Sequence, residues 1–194
     1  MSETAEPQRR MTIEEFFAWA ETQEEPFELV DGIPVPLWRY DPENPTMMAP
    51  PSRRHQDIAT NVQAAVRSRL RPPCWATLGI AVALESDRAR VPDVVAACAD
   101  HDEARNLVEE PVLVVEVLSP SNEGVDRLMK LDEYKALPSA REVWLVSSTK
   151  RWAQVWRREA DTWHGVDVIG RGEIESPWLG SRVPLDELYV GVSL

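Results

Sequence analysis

The sequence predicts a mixed α/β (α+β) fold in which a central β-sheet is flanked by α-helices. Apolar residues recur at helical spacing in some segments and alternate or run continuously in others, and the two kinds of segment are interleaved along the chain. The chain has 194 residues, of which 43% are hydrophobic, and this is enough to bury a substantial core. We expect residues 1–10 to form a flexible N-terminal tail and residues 11–194 to form a single domain.

Capping residues and apolar spacing place the first elements. Thr12 and Glu15 have the spacing of a capping box, and an apolar stripe follows them, so a helix begins there. Residues 27–35 predict two short strands around an Asp-Gly turn. A proline-rich loop should occupy 41–51, and Ser52 is a good N-cap for a second helix that a Pro-Pro pair ends.

The rest of the chain is predicted to supply most strands of the central sheet. Alternating apolar residues make 75–85 a half-buried strand, and a second strand runs from Val91 to Cys98. Residues 112–118 are almost continuously apolar, which is typical of a central strand covered on both faces. A third helix is expected at about 124–136. The last elements are strands at 142–146, 152–156 and 163–169, of which the third is an edge strand, and a short helix at 184–188.

Charge and cysteine content narrow the classes of function. A net charge of −12 argues against a general nucleic-acid coat, but it leaves room for a local basic groove or for metal ions that bridge to phosphate. No apolar stretch approaches the roughly 18 residues of a membrane span, and the N-terminus lacks the parts of a signal peptide. We therefore expect a cytoplasmic protein with no membrane partner. Cys74 and Cys98 lie among apolar neighbours, and we expect both to be reduced core residues.

Two carboxylates stand out because their neighbours are apolar. Glu116 lies inside the most apolar strand, where an unpaired carboxylate costs several kcal/mol, so it must be protonated, paired or bound to a metal. A core arginine or lysine, or a place at a sheet edge, would also explain it. Asp93 follows Val91-Pro92 and could be only a turn residue. Together, however, two like charges on neighbouring strands call for a cation between them, and this predicts a Mg²⁺ or Mn²⁺ site.

Two further charged groups are candidates for the same site. Glu28 could reach it from the end of the first strand pair, or could be a solvated residue beside the turn. Asp126, Lys130 and Tyr134 are spaced by four residues and therefore share one helical face. Lys130 could stabilise charge on a scissile phosphate or position the attacking water, whereas the alternative is a surface Asp–Lys pair.

Substrate-binding candidates lie at the start of the second helix. Arg53, Arg54 and His55, together with the helix N-terminus, could bind a phosphate, although a solvated basic helix start would look the same in sequence. Tyr134 is the fourth substrate-binding candidate because it shares the face of Lys130.

Six pieces of the chain, taken in order, resemble the Uma2 family, formerly a domain of unknown function, within the PD-(D/E)XK restriction-endonuclease-like superfamily. The resemblance runs from about Thr12 to Leu188. The pieces are Phe27-Glu28-Leu29-Val30-Asp31-Gly32, Met48-Ala49-Pro50 with His55, Val91-Pro92-Asp93, Glu116-Val117-Leu118-Ser119-Pro120, Asp126 with Lys130 and Tyr134, and Glu142-Val143-Trp144-Leu145-Val146.

This resemblance implies a restriction-endonuclease-like core and a Mg²⁺-dependent endonuclease that hydrolyses DNA phosphodiester bonds. It implies that Asp93 and Glu116 bind the metal, with the main-chain carbonyl of Val117 as a further ligand, and that Glu28 is the acid of the first helix–strand region. The superfamily pattern places a lysine two residues after the glutamate, where this chain has Leu118. Lys130 is then the matching lysine, supplied by the following helix.

Two alternatives to a DNA endonuclease stay open. A catalytically inactive nuclease-fold module that binds nucleic acid or a protein partner is favoured by the negative charge and by the leucine at position 118. A hydrolase of another phosphoester, such as RNA or a nucleotide, is the third candidate. A homodimer is also expected, because nucleases of this superfamily often pair to cut two strands.

Overall fold

The computed structural model describes residues 9–37, 51–98, 106–119 and 125–194, and the side chains of residues 125–127 are not included. Within these ranges there are four helices: α1 (Ile13–Ala20), α2 (Arg53–Arg67), α3 (Val125–Ala136) and α4 (Leu185–Leu188). The strands are β1 (Phe27–Val30), β2 (Ile33–Pro36), β3 (Trp75–Leu78), β4 (Ala81–Glu85), β5 (Arg88–Arg90), β6 (Val94–Ala97), β7 (Leu107–Val108), β8 (Pro111–Leu118), β9 (Glu142–Ser147), β10 (Trp152–Glu159), β11 (Thr162–Ile169), β12 (Glu173–Ser176) and β13 (Ser181–Pro184). No helix in this part of the chain has both the length and the apolar character needed to cross a bilayer.

The predicted mixed α+β class is confirmed, but the strands are distributed over more than one sheet. The larger sheet has the order β11-β10-β9-β8-β6-β3, and its β8–β9 pair is parallel while its other pairs are antiparallel. A five-stranded sheet has the order β2-β1-β5-β4-β7, and β12 and β13 form a separate hairpin. The expectation of one sheet is therefore wrong.

Among the short crossovers between the two larger sheets, two lie next to Asp93. The strand expected at 75–85 is divided into β3 and β4, because Gly79 adopts a φ of +58° that glycine tolerates best and the chain then enters the five-stranded sheet. Residues 91–93 lead back from β5 to β6. The two crossovers lie side by side, since the Gly79 N–H donates to the Asp93 carbonyl at 3.3 Å.

Strand β8 is covered on both faces, as the apolar run predicts. Leu113, Val115 and Val117 pack in the core that includes α2, whereas Val114 and Leu118 pack in the core that includes α3. Because side chains alternate along a strand, Glu116 points to the α3 side. The most apolar strand therefore presents its one carboxylate to a helix that carries Lys130.

Both N-caps that the sequence predicts are confirmed. At the start of α1, the Thr12 hydroxyl accepts from the Glu15 N–H while the Glu15 carboxylate accepts from the Thr12 N–H. At the start of α2, the Ser52 hydroxyl accepts from the His55 N–H at 3.3 Å. These caps satisfy amide groups that a helix cannot bond internally, and they fix where α2 begins next to the site described below.

The expectation of two reduced cysteines is wrong. Cys74 and Cys98 form a disulfide. The antiparallel pairing of β3 with β6, in which Trp75 lies opposite Ala97, places the two residues opposite each other just beyond the strand ends. The two cysteines are 24 residues apart in sequence, so their proximity follows only from the strand register.

The proline-rich loop at 41–50, the Met48-Ala49-Pro50 piece, residues 99–105 and the first residue of the third helix expected at 124–136 lie outside the described residues.

Candidate active site

Asp93 lies at the junction of the two sheets, one residue before β6. In the ladder between β6 and β8, Val94 is opposite Val115, so Asp93 comes next to Glu116. Its Oδ2 accepts from the Val117 N–H at 2.6 Å, and its Oδ1 lies 2.7 Å from His55 Nε2. The side chain is 23% exposed, so Asp93 is held at the end of the sheet and still reaches solvent.

Glu116 is 9% exposed and carries the most perturbed carboxylate of the site. Its Oε1 accepts from Tyr134 Oη at 2.7 Å and lies 3.9 Å from Lys130 Nζ. Burial raises the pKa of Glu116 to about 7, against the opposing effects of the Lys130 charge and the Tyr134 hydrogen bond. The neighbouring charge of Asp93 contributes to this rise of the pKa. The two carboxylates thus repel each other electrostatically, as the sequence predicts for a pair brought together by neighbouring strands.

Lys130 links Glu28 to this pair of acids. Its Nζ donates to Glu28 Oε1 at 3.1 Å, and the lysine is itself buried. Burial alone would raise the pKa of Glu28, but the charges of Lys130 and Arg90 and the Val91 N–H outweigh it and lower the pKa. Glu28 is therefore an anion that holds the ammonium of Lys130 beside Glu116. The structure brings together Asp93, Glu116, Lys130 and Glu28, as the sequence predicts.

Arg90 anchors the other side of Glu28. It is 4% exposed, and its Nη1 donates to Glu28 Oε2 at 3.1 Å. It also makes a paired contact with Glu133 on α3, with Nε to Oε2 at 2.7 Å and Nη2 to Oε1 at 3.0 Å. Arg90 thereby joins strands β1 and β5 to α3, the helix that carries Lys130, and this helps to position the lysine.

The substrate-binding candidates divide into two groups. Arg53 and Arg54 are exposed at the start of α2, and Arg53 makes a surface contact of 3.5 Å with Asp57. His55 is buried and faces Asp93. Burial opposes its protonation, but the hydrogen bond and charge of Asp93, aided by Glu116, raise its pKa. His55 therefore orients a metal-ligand candidate instead of facing solvent.

Tyr134 also takes a different place from the one expected. It is fully buried, and its hydroxyl is directed at Glu116, so we assign it an orienting role in place of substrate contact. The Asp126 side chain lies outside the described residues.

The carboxylate oxygens of Asp93 and Glu116 are of the type that hard divalent cations prefer. In a strand the N–H and C=O of one residue point to the same side, so the Val117 carbonyl turns towards Asp93, to which its N–H donates. No group of three or more His, Cys, Asp and Glu side chains in the described ranges is arranged to hold a metal. Mg²⁺ is commonly held by one or two carboxylates with waters and substrate phosphate, and two carboxylates with one carbonyl match that pattern.

Sequence reasoning missed two members of the site, Arg90 and Glu133. A signal was present, because Arg88-Ala89-Arg90 places two arginines at alternate positions directly before Val91-Pro92-Asp93. Strand β5 was not predicted, however, and without it neither the face nor the burial of these arginines could be assigned.

Comparisons with known proteins agree with this architecture. The Uma2 family model, described as "Putative restriction endonuclease", matches residues 13–181. An uncharacterized protein of the cyanobacterium Synechocystis sp. is 26% identical over 193 residues, which cover 96% of this chain and 95% of that protein. A crystal structure of a protein from Anabaena variabilis, titled as a "putative nuclease belonging to DUF820", superposes with a TM-score of 0.68 at 17% identity, over 93% of this chain and 98% of that one.

The fold and the site together define a restriction-endonuclease-like α+β protein with paired carboxylates at a sheet junction. The match to the family model spans most of the chain, and the chain belongs to the Uma2 family.

Proposed function

We propose that this protein is a Mg²⁺-dependent endonuclease that hydrolyses DNA phosphodiester bonds. The observation that carries the proposal is the convergence of Asp93 and Glu116 from neighbouring strands, with Lys130 3.9 Å from Glu116. Two hard-oxygen ligands beside a held ammonium group are what metal-assisted attack on a phosphodiester requires. The family description and the nuclease-like neighbour support the same reaction class.

Each residue has a distinct task in this reaction. Asp93, Glu116 and the Val117 carbonyl would hold Mg²⁺ (Mn²⁺ could replace it). The bound ion would lower the pKa of a water and polarise the phosphate. The His55 contact and the Val117 N–H keep Asp93 in place, and Tyr134 does the same for Glu116. In-line attack by a water oxygen on phosphorus would form one P–O bond and break the bond to the 3′ oxygen. The water would lose a proton to solvent, and the departing 3′ oxygen would take up a proton from solvent.

Lys130 supplies the positive charge that the strand itself lacks. The side chain at position 118 is a buried leucine, so the strand offers no ammonium group there. Lys130 reaches the same region from α3, where Glu28 holds it. Its protonated Nζ would stabilise the negative charge that grows on the phosphate oxygens or hold the attacking water.

The exposed Arg53 and Arg54 would contact the phosphates that flank the scissile bond. Arg53 and Arg54 lie within one helical turn of His55, at the positively polarised N-terminus of α2. Because the chain carries a net charge of −12, Arg53 and Arg54 would supply the local positive charge needed to bind DNA.

The experiment that tests the proposal combines metal binding with cleavage. Wild-type protein, Asp93→Asn and Glu116→Gln are titrated with Mn²⁺ by calorimetry and assayed on plasmid and single-stranded DNA. Asp167→Asn, which removes an exposed acid on β11, is the matched control. Loss of a ligand should lower metal affinity and cleavage by more than the roughly 100-fold typical of supporting residues. Unchanged Mn²⁺ affinity in Asp93→Asn would show that the site is assigned wrongly.

A non-catalytic nucleic-acid-binding module is the second candidate. The observation that favours it is Leu118 at the position where the superfamily has its lysine. The same assay, extended to RNA cleavage and to DNA binding, separates the two candidates. A wild-type protein that binds Mn²⁺ and DNA but cuts neither DNA nor RNA fits only the module. Cleavage of RNA alone would instead assign another phosphoester as the substrate.

A further inference from the structure

The outer edge of β11 is open among the described residues. The strand ends the six-stranded sheet, and no described strand pairs with its outer side. It is eight residues long, carries neither lysine nor proline, and pairs with β10 in a regular register without a bulge. Proteins usually protect edge strands with such features, because an exposed edge is a template for another strand.

The hairpin between β10 and β11 shows which backbone groups face outwards. Glu159 lies opposite Thr162 across a two-residue turn, and at the other end the Gly170 N–H donates to the Arg151 carbonyl at 2.9 Å. Bonded and non-bonded pairs alternate along an antiparallel ladder, so even-numbered residues of β11 bond to β10. Odd-numbered residues from Trp163 to Ile169 therefore turn their N–H and C=O groups outwards. Within the described ranges, the Ile169 carbonyl alone has another backbone partner, the Gly172 N–H at 3.1 Å.

Two apolar side chains of β11 are exposed to water. Val166 is 46% exposed and Ile169 is 69% exposed, and they lie on opposite faces of the sheet because their positions differ by an odd number. Val168, by contrast, packs in the core. The edge thus combines free backbone groups with apolar side chains on both faces.

The strand is complementary to itself under a two-fold axis. Residues opposite each other in a ladder share a face, so an axis perpendicular to the sheet through Val166 pairs odd positions with odd and even with even. Val166 then lies opposite Val166 of the other copy, and Ile169 lies opposite Trp163. Gly165 lies opposite Asp167, so no two like charges lie directly opposite each other. Both exposed apolar side chains acquire an apolar partner.

We propose that β11 is the interface of a homodimer, in which it pairs antiparallel with β11 of a second copy about an axis through Val166. The two six-stranded sheets then form one continuous sheet. A second copy is favoured over an unrelated strand because one segment supplies both complementary halves, and two-fold pairs are the commonest assemblies of identical chains. This proposal does not depend on catalysis.

A contact along one strand buries little surface, so the dimer should be weak and concentration-dependent. Sedimentation velocity from about 1 μM to about 200 μM should show a monomer that converts into a dimer. Val166→Lys and Ile169→Glu should remain monomeric over this range while keeping the wild-type circular dichroism spectrum and melting temperature. Val190→Lys changes a residue that is 65% exposed outside β11, and it should dimerise like wild type.

A cross-linking experiment tests the register. Residues in a non-hydrogen-bonded antiparallel pair have Cα atoms about 4.5 Å apart, which a disulfide can span. Both native cysteines are already paired, so Val166→Cys introduces the only free thiol and should give a disulfide dimer under mild oxidation. Ile169→Cys, whose two copies lie at opposite ends of the paired segment, should not. A wild-type protein that stays monomeric at all concentrations, a dimer that survives Val166→Lys, or failure of Val166→Cys to cross-link would overturn the proposal.

Discussion

Tyr134 Oη donates a hydrogen bond of 2.7 Å to Oε1 of Glu116, and this contact joins helix α3 to the central strand of the larger sheet. Both groups are largely shielded from bulk water, since Tyr134 is fully buried and Glu116 is 9% exposed. The hydrogen bond favours the ionised form of Glu116 against the burial that disfavours it. Tyr134 thus helps to keep a carboxylate available for a cation.

Tyr134→Phe should therefore weaken metal binding without emptying the site. The pKa of Glu116 should rise further, because a hydrogen bond that lowers it is removed. Mn²⁺ affinity by calorimetry should fall near neutral pH and recover at about pH 9, where Glu116 ionises in either protein. Urea denaturation should show a loss of about 1–2 kcal/mol for the buried hydrogen bond. An affinity loss that is equal at both pH values would contradict this explanation.

The stability of the metal-free protein should depend on pH through Glu116. Its pKa rises from 4.5 to about 7 on folding, so the folded state binds the proton more tightly than the unfolded state does. The contribution of Glu116 is then fully present below about pH 4.5 and is lost as the pH rises through about 7. Wild type should lose stability relative to Glu116→Gln across this window, as measured by urea denaturation in a chelator. A constant difference between the two proteins would refute the shift.

Lys130→Ala should abolish cleavage while sparing metal binding at about pH 9, where Glu116 is ionised with or without the lysine. Asp93 and Glu116 keep their strand positions in this variant, but no ammonium group remains beside the reacting phosphate. We expect a loss of at least about 100-fold in rate, the size seen when one charge-stabilising donor is removed. Lys135→Ala is the matched control on the same helix, where the lysine lies over Trp156 instead. Equal activity of the two variants would exclude Lys130 from the reaction.

Arg90→Met should be far more destabilising than Arg88→Met. Removing Arg90 leaves Glu133 without its paired partner and Glu28 with Lys130 as its remaining counter-charge, and breaking a buried pair costs about 3–5 kcal/mol. Arg88 pairs mainly with Asp31, whose side chain is 55% exposed, and surface pairs contribute at most about 1 kcal/mol. Urea denaturation of both variants measures the difference. Similar losses for the two would show that the Arg90 contacts are not the ones that hold α3.

The basic start of α2 should set the salt dependence of DNA binding. Replacing Arg53 and Arg54 with alanine should lower the slope of log affinity against log salt by up to about 2, since each phosphate contact contributes about 0.9. Fluorescence anisotropy in Ca²⁺ would measure binding without cleavage. Arg182→Ala removes an arginine whose side chain is 67% exposed on β13 and should leave the slope unchanged. An unchanged slope in the double variant would place the DNA elsewhere.

The parts of the fold that depend on local chemistry could be predicted from the sequence. The capping box at Thr12, the N-cap at Ser52 and the doubly covered strand around Glu116 follow from hydrogen-bonding groups and apolar patterns within a few residues. The division of the strands into separate sheets could not be predicted, since it depends on the positive φ of Gly79, where an alternating apolar pattern continues through the break.

The acids of the site were predictable because a carboxylate among apolar residues is conspicuous. Arg90 and Glu133 were not, because arginine and glutamate in charged stretches look like surface residues until the strand register brings them together. The disulfide between Cys74 and Cys98 was missed for the same reason, since pairing across antiparallel strands leaves no local trace.

Helix α3 contributes Lys130, Glu133 and Tyr134, whereas Asp93 and Glu116 sit beside or within a fully laddered sheet. The outer surface of this helix carries Leu128 and Met129, which are 60% and 50% exposed, so its attachment relies on its inner face. If α3 alone detached in a local unfolding event, Lys130, Glu133 and Tyr134 would leave the site together. Asp93 and Glu116 would remain on the sheet. Amide exchange in α3 would then report directly on how often the site is disassembled.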